Sequence, residues 1–272
     1  MPHKILLSLC RDDSDESVLE AAKTIAKTTQ SEITLLYANP EGVTSSDRDD
    51  LNKVNQALQE AEINTGQPVL VKGDELDEAI RTLKERAFNL VIMAVADEGD
   101  RDAARKINIK LIRKTEVPVW EVKPGSSAVI DRVLCPVDFS EHSERALKNA
   151  IALTSLFNSE LQVLSVYEPP KSTSVFIKEG KDDFKDEHQE LLDSFLKNID
   201  FNKVQRNIKL RSGEPTEEII AEAKDFNANL LIMGSAGRSG IHRKAIGSTT
   251  EKIITDSPCS VIVLREQDIF EA

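Results

Sequence analysis

The stretch Leu230–Ser248, with the sequence LLIMGSAGRSGIHRKAIGS, holds four of the 11 glycines in the chain. Its first four residues are apolar and typical of a buried strand, while the residues after Gly247 have the pattern of a helix start. Because glycine costs backbone entropy, such clustering indicates positive φ angles or a close approach to a ligand. A helix N-terminus presents unbonded N–H groups and the positive end of the helix dipole, which favours phosphate. The stretch therefore predicts a strand, a glycine loop and an anion-binding helix start.

The glycine loop is basic in a chain that is otherwise acidic, since it carries Arg238, His242, Arg243 and Lys244. We interpret His242 as a surface residue of this loop. The glycine spacing excludes two common phosphate loops, because no Gly-Lys-Ser/Thr follows and the one-then-two spacing of the dinucleotide fingerprint is missing. The alternative is a glycine-rich turn that only joins the strand to the helix.

Three motifs in order carry a resemblance to a known family. The pattern Gly-x2-Gly-x9-Gly-Ser, filled by Gly234, Gly237, Gly247 and Ser248, resembles the ATP-binding signature of the universal stress protein family. VLCPVDFS (133–140) resembles the first strand of that family and its exit, and SPCSVIV (257–263) resembles the last strand. The resemblance covers the second half of the chain and, more faintly, the first. It implies a tandem form with two doubly wound, five-stranded parallel-sheet domains of the Rossmann-like, adenine nucleotide alpha hydrolase-like type.

The size, charge and cysteine content of the chain limit the classes of function that it can have. The 272 residues suffice for two domains, and a formal net charge of −12 with a pI of about 5.0 disfavours nonspecific nucleic-acid binding and anionic membranes. No apolar run approaches 18 residues, and the acidic N-terminal region is unlike a signal peptide. Cys10, Cys135 and Cys259 are far apart in or beside apolar runs, which indicates buried thiols in a reducing cytoplasm rather than a disulfide or zinc framework.

Strand and helix patterns alternate twice around the turn-rich linker KPGSS (123–127), which predicts a parallel sheet with helices on both faces. The predicted strands are 5–9, 32–38, 68–72, 90–95, 118–122, 133–137, 161–166, 208–211, 230–233 and 260–264. In such a sheet, ligands bind beyond the carboxyl ends of the strands at the switch point. This rule brings Asp138, after the first strand of the second half, next to the glycine loop.

The chain contains an internal repeat of one unit of alternating strands and helices. A shift of 140 places Gly73 on Gly213 and Pro118 on Pro258 without a gap, while near the start of each half the shift is about 128. We therefore predict domains 1–124 and 129–272, the second with about a dozen extra residues within 171–202. The sequence pattern in this region predicts a helix near 184–196. The extra segment is either a flap or longer helix near the site or a solvated insertion, and its high charge favours the solvated insertion.

The two halves are predicted to differ in function. The shift of 140 replaces Gly234, Gly237, Gly247 and Ser248 by Ala94, Asp97, Ile107 and Asn108, and Cys10 stands where Asp138 stands. Carboxylates in this first-half loop would repel phosphate, so we expect the first half to have lost this mode of ATP binding. Family dimers pair through the last strand, which implies an internal pseudo-dimer with a structural first half. A changed ligand in the first half is the alternative.

The resemblance assigns ATP contacts position by position. The base side would be formed by Pro136, Val137, Asp138 and Val166, with Asp138 accepting a hydrogen bond from the exocyclic amine. The ribose would lie against Met233 and Gly234. The phosphates would be held by Gly237, Arg238, Ser239, Gly247, Ser248 and Thr249. Three alternatives stay open: Asp138 caps the following helix, Val166 is plain core, and Arg238 is a solvated charge.

Three functions compete at this stage. The first is an ATP-binding regulatory or stress-response protein with little or no turnover, holding ATP with or without Mg²⁺. The second is an ATP-using enzyme such as a weak ATPase, and the third is a nucleotide-free scaffold. No Walker B pattern or metal cluster appears, and Asp138, Ser140 and His142 on one turn do not make a triad, which favours the first. The expected partners are ATP and the other half of the chain, with a homodimer or an unidentified protein partner left open.

Overall fold

The computed structural model describes residues 4–9, 15–94, 101–169, 180–237 and 246–270, with the backbone alone for 15, 101–106 and 180–183. The first half contains β1 (Lys4–Ser8), α1 (Asp15–Thr29), β2 (Glu32–Asn39), α2 (Ser45–Glu60), β3 (Val69–Lys72), α3 (Glu75–Glu85), β4 (Leu90–Ala94), α4 (Arg101–Lys114) and β5 (Val119–Val122). The second half contains β6 (Arg132–Val137), α5 (Glu141–Phe157), β7 (Glu160–Tyr167), α6 (Gly180–Leu196), β8 (Arg206–Ser212), α7 (Pro215–Asp225), β9 (Leu230–Gly234), α8 (Ser248–Asp256) and β10 (Ser260–Leu264).

All ten predicted strands are confirmed, each within two residues at either end. They form one sheet in the order β3-β2-β1-β4-β5-β10-β9-β6-β7-β8. Pairing is parallel within each half, and β10 pairs antiparallel with β5, with Ile262 opposite Trp120. The predicted doubly wound, five-stranded parallel sheets are therefore present and are continuous with each other through their last strands.

Helices cover both faces of the sheet. Alternate residues of β1 show why its sequence is a continuous apolar run: Ile5 and Leu7 pack under one helix layer, and Leu6 packs under the other. The first layer contains α1, α2, α5 and α6, and the second contains α3, α4, α7 and α8. Cys135 and Cys259 are buried, and burial raises the pKa of both thiols.

Strand pairing corrects the alignment of the two halves. Ile5 pairs with Leu90 as Val133 pairs with Leu230, which confirms shifts of 128 and 140. Val119, however, pairs with Val91, whereas the partner of Leu231 is Val261, so the last strands differ by 261 − 119 = 142. The ends of α4 and α8, at Lys114 and Asp256, give the same 142.

The ungapped match of Pro118 with Pro258 is therefore wrong. The second half has two more residues than the first between its fourth and fifth strands. As a result, Gly247 and Ser248 correspond to Arg105 and Lys106 rather than to Ile107 and Asn108. Asn108 corresponds instead to Thr250, since 250 − 108 = 142.

Two cations at equivalent positions join the halves. Lys123 Nζ donates to the carbonyl of Ser257 at 3.1 Å, and Arg265 Nη1 donates to the carbonyl of Ile112 at 2.7 Å. Each places positive charge at the C-terminal end of a helix from the other half, where the helix dipole favours it. Arg265 is buried, and this burial lowers the pKa of its guanidinium.

Among the helices of the described ranges, each is too short or too polar to cross a membrane.

Candidate functional site

A cavity of about 360 Å³ lies at the carboxyl ends of β6, β7 and β9, beside the point where the chain reverses its strand order. Of the twelve residues predicted from the sequence, Arg238 and Ser239 lie outside the described residues. The other ten all line this cavity: Pro136, Val137, Asp138, Val166, Met233, Gly234, Gly237, Gly247, Ser248 and Thr249. The structure thus brings together residues from four separate parts of the sequence.

Close approach, rather than positive φ, explains two of the lining glycines. A Cβ on Gly234 would lie 2.8 Å from the carbonyl carbon and oxygen of His142, at the start of α5. A Cβ on Gly237 would lie 2.5 Å from Oδ2 of Asp138. Gly247 differs, because its φ is −66° and a Cβ there would meet nothing closer than 3.7 Å. Packing therefore does not require glycine at 247, and its missing side chain leaves open space beside the cavity.

Helix α8 begins at the cavity without a side-chain cap. Its N-cap residue is Gly247, whereas Thr44, Asp74, Ser140 and Glu214 cap α2, α3, α5 and α7 with side-chain hydrogen bonds. The N–H of Gly247 donates to the Ser235 carbonyl at 2.8 Å, and Thr250 Oγ1 donates to the Gly234 carbonyl at 3.1 Å. These bonds fix the loop ends while the first turn of α8 lines the cavity. The N–H groups and positive dipole end of that turn favour an anion there.

Asp138 has two roles in the structure. Its Oδ1 accepts from the backbone N–H of Ser140 at 3.1 Å and from the Ser140 hydroxyl at 2.6 Å. Ser140 in turn accepts from the Ser143 N–H at 3.2 Å and so caps α5. The N-cap of α5 is therefore Ser140, and Asp138 holds this capping residue without capping the helix itself. Its second oxygen faces the Gly237 position, so the carboxylate also forms part of the cavity wall.

The end of the cavity opposite the glycine loop is mostly apolar. Leu164 and Val166 of β7 and Pro215 and Ile219 of α7 line it. Because neighbouring strands are about 4.8 Å apart and β6 separates β9 from β7, the two ends lie about 10 Å apart. The cavity is therefore polar with an anion-favouring helix start at one end, and apolar at the other.

Sequence reasoning missed seven residues that line the cavity: Ser143, Leu164, His188, Pro215, Ile219, Ala236 and Thr250. Pro215 and Ile219 follow β8, so the carboxyl-end rule could have included them. His188 had no local signal, because it lies in the segment that the sequence favoured as a solvated insertion. The helix predicted near 184–196 is confirmed as α6, and because it brings His188 to the cavity, the interpretation as a solvated insertion is wrong for this described part.

In the first half, hydrogen-bonded side chains occupy the equivalent edge. Ser8 and Glu75, the counterparts of Pro136 and Pro215, bond to each other with 2.6 Å between Oγ and Oε1. Asn108 is buried and donates to the Ala94 carbonyl at 3.2 Å and to buried Glu121 at 3.1 Å. Cys10 and most of the predicted acidic loop, 95–100, lie outside the described residues. The part of the chain that the structure describes contains no group of three side chains suited to a metal ion.

Comparisons with known proteins agree with this fold. The sequence model of the universal stress protein family matches residues 130–265. A universal stress protein of Methanocaldococcus jannaschii is 28% identical over 169 residues, which cover 60% of this chain and 97% of that protein. A functionally unknown protein from Pseudomonas aeruginosa PAO1 has a similar structure, with a TM-score of 0.79 at 19% identity, covering 97% of this chain and 93% of that one. For a universal stress protein from Archaeoglobus fulgidus DSM 4304 the TM-score is 0.64 at 21% identity, covering 97% and 98%.

Proposed function

The chain belongs to the universal stress protein family, and on that premise we propose that its second half, 129–272, binds ATP in the cavity. One observation carries the proposal: α8 begins at the cavity with no side-chain cap, next to a glycine that packing does not require. The bound nucleotide has a regulatory role in a stress response, with little or no turnover.

The phosphate end would be the start of α8. Backbone N–H groups there, together with the hydroxyls of Ser248 and Thr249, are donors suited to phosphate oxygens. Gly247 leaves the space that such a group would enter. Arg238 and Ser239 remain predicted contacts of the same group. Mg²⁺, where it accompanies the nucleotide, would neutralise part of the phosphate charge.

The base end would be the apolar wall about 10 Å away. Val166, Leu164 and Ile219 offer a surface on which a purine can pack, and Asp138 offers a carboxylate acceptor for an exocyclic amine. The volume of about 360 Å³ lies within the usual range for small-molecule sites, roughly 300–1,000 Å³. The cavity thus offers donors at one end and an apolar wall at the other, and Asp138 adds an acceptor next to Gly237.

Binding without turnover is favoured by the chemistry of the same groups. Phosphoryl transfer needs a group that orients the attacking water or hydroxyl. Asp138 holds Ser140, and Ser140 caps α5, so both side chains have structural hydrogen bonds next to the cavity. The hydroxyls of Ser248 and Thr249 are hydrogen-bond donors suited to phosphate oxygens.

The first half, 1–124, would serve as the structural partner of the second in an internal pseudo-dimer. Its last strand extends the sheet of the second half, and Lys123 reaches the end of α8, the helix that starts at the cavity. Its own equivalent edge is occupied by the Ser8–Glu75 and Asn108–Glu121 bonds. We therefore expect one nucleotide per chain.

The test is a measurement of bound nucleotide. Protein purified without added nucleotide is denatured, and the supernatant is analysed by ion-pair chromatography with mass detection. Nucleotide-free protein is then titrated with ATP by calorimetry. The matched variant is Gly247→Ala, whose Cβ has ordinary contacts and should leave thermal unfolding nearly unchanged. We expect about one ATP per wild-type chain and about tenfold weaker binding in the variant.

Other outcomes separate the competing functions. Two ATP per chain would show that the first half also binds nucleotide. No bound nucleotide and no uptake would favour the scaffold function. Steady hydrolysis of ATP that Asp138→Ala abolishes would favour an ATP-using enzyme.

A further inference from the structure

We propose that His188 sets an upper limit on the size of the base at this site, because its imidazole separates the cavity from a second space beside α6. The proposal rests on the proposed function, since it concerns the base end of the same nucleotide site. It assigns a specificity role to a residue of α6, the helix of the second half that corresponds to α2 in the first.

The second space is an outer groove of about 350 Å³. It shares Val166, His188 and Pro215 with the cavity, so the two spaces are neighbours with these side chains between them. Beyond them, the outer groove is lined by Tyr167, Glu168, Phe184, Glu187 and Leu191. Val166 belongs to β7 and Pro215 to the first turn of α7, whereas His188 lies in the middle of α6.

The imidazole is held in place by the sheet below it. Its Nε2 lies 2.9 Å from Oγ of Ser165, a fully buried residue of β7, and this pair can bond in either tautomer of the ring. The same hydroxyl lies 3.3 Å from the carbonyl of Val137, at the end of β6. The His188 ring is thereby tied to the two strands whose ends form the base side of the cavity.

Aromatic rings support His188 from two directions. The ring centroid of Phe139 lies 5.0 Å away and that of Tyr167 lies 5.5 Å away. Phe139 has a φ of +66°, a left-handed backbone conformation that is rare for a bulky residue. In this conformation the Phe139 ring packs on both His188 and Phe195 of α6. Strain of this kind persists where the surrounding structure holds it, commonly next to binding sites.

The outer groove has the chemistry to take an apolar group. Phe184 and Leu191 are 41% and 47% exposed and lie four residues before and three residues after His188, on the same face of α6. Truncation of His188 would open a path from the apolar end of the cavity to this face. The unaltered protein should then accept a plain purine and reject one that carries a ring-sized substituent pointing towards α6.

The experiment uses the full chain and four probes: ATP and three ATP analogues with a benzyl-sized substituent on N6, C2 or C8. Affinities are measured by calorimetry for the wild type, His188→Ala, His188→Phe and Leu191→Ala. His188→Phe keeps a ring at the boundary without the hydrogen bond, and Leu191→Ala alters the same helix at the outer groove only. Thermal unfolding confirms that each variant is folded.

We expect the wild type to bind ATP and to bind at least tenfold more weakly any analogue whose substituent points towards α6. His188→Ala should bind at least one analogue about tenfold more tightly than the wild type does, while its ATP affinity falls about tenfold with the loss of ring packing. His188→Phe and Leu191→Ala should reject the analogues as the wild type does. If the wild type accepts the analogues, or if His188→Ala gains none of them, the size limit is not set by His188. If neither the wild type nor any variant binds ATP, the proposed function itself is wrong. This outcome differs from a failure of the size limit alone, in which ATP still binds.

Discussion

The two halves of the molecule share a sheet topology and differ at one edge of that sheet. Their first and fourth strands pair in the same register, Ile5 with Leu90 and Val133 with Leu230. At the carboxyl ends of these strands the second half has a cavity, whereas the first half has hydrogen-bonded polar side chains. The difference teaches that a duplicated unit can change its binding edge through a few side chains and a short loop, without a change in strand pairing. Each of the following substitutions changes one half of the molecule or the contact between the halves.

The largest effect is expected at a position where the second half has a glycine, Gly234, and the first half has an alanine, Ala94. Gly234→Ala would place a Cβ 2.8 Å from the backbone of His142, and backbone cannot move aside as a side chain can. We expect a loss of about 3 kcal/mol in the free energy of unfolding, at the upper end for overpacking. Urea unfolding of the nucleotide-free protein measures it.

The matched change in the first half is Ala94→Gly. Ala94 occupies the equivalent strand end and already carries a Cβ, so this substitution should cost no more than about 1 kcal/mol. A loss for Gly234→Ala no larger than that for Ala94→Gly would show that the approach of α5 to β9 leaves room for a Cβ.

A smaller effect is expected at Asn108 and its counterpart Thr250. Asn108→Ala removes a donor from the buried Glu121 carboxylate and from the Ala94 carbonyl, which should cost about 2 kcal/mol. Thr250→Ala removes one bond to the Gly234 carbonyl and should cost about 1 kcal/mol. Urea unfolding of both variants gives the comparison, and a greater loss for Thr250→Ala would overturn the view that Asn108 stabilises the closed edge.

The smallest effect concerns the ion pair between Arg113 of α4 and Glu251 of α8, which links the halves on the face away from α5. Both side chains are partly exposed, so a double-mutant cycle with Arg113→Gln and Glu251→Gln should give a coupling energy below about 1 kcal/mol. The coupling should shrink further in roughly 1 M salt. A salt-insensitive coupling above this value would mean that the pair acts as part of the core between the halves.

Much of the fold could be predicted from the sequence because buried parallel strands are short apolar runs and their boundaries are set by turn residues. The site residues after β6, β7 and β9 could be predicted because the ends of parallel strands converge, wherever they lie in the chain. Two features escaped. The two-residue difference before β5 and β10 was hidden by the chance match of Pro118 with Pro258, which strand pairing overrules.

The position of His188 at the cavity could not be predicted, for a different reason. Its helix is predicted from the sequence, but the high charge of the segment favours a solvated surface rather than a cavity wall. What places the ring is tertiary: a hydrogen bond to Ser165, a residue 23 positions earlier, and contacts with Phe139 and Tyr167. Local periodicity contains no information about such contacts.

The antiparallel seam between β5 and β10 has a consequence for synthesis of the chain. Trp120 pairs with Ile262, so 262 − 120 = 142 further residues must be made before the seam can close. At about 5–20 residues per second, β5 waits roughly 7–28 s as an open edge whose side chains are buried in the finished protein. During that interval on the ribosome, a neighbouring copy that offers its own β10 is a competing partner, and exchange of this strand would yield a domain-swapped dimer. The strand that joins the halves is therefore also the point at which nascent chains must be kept apart.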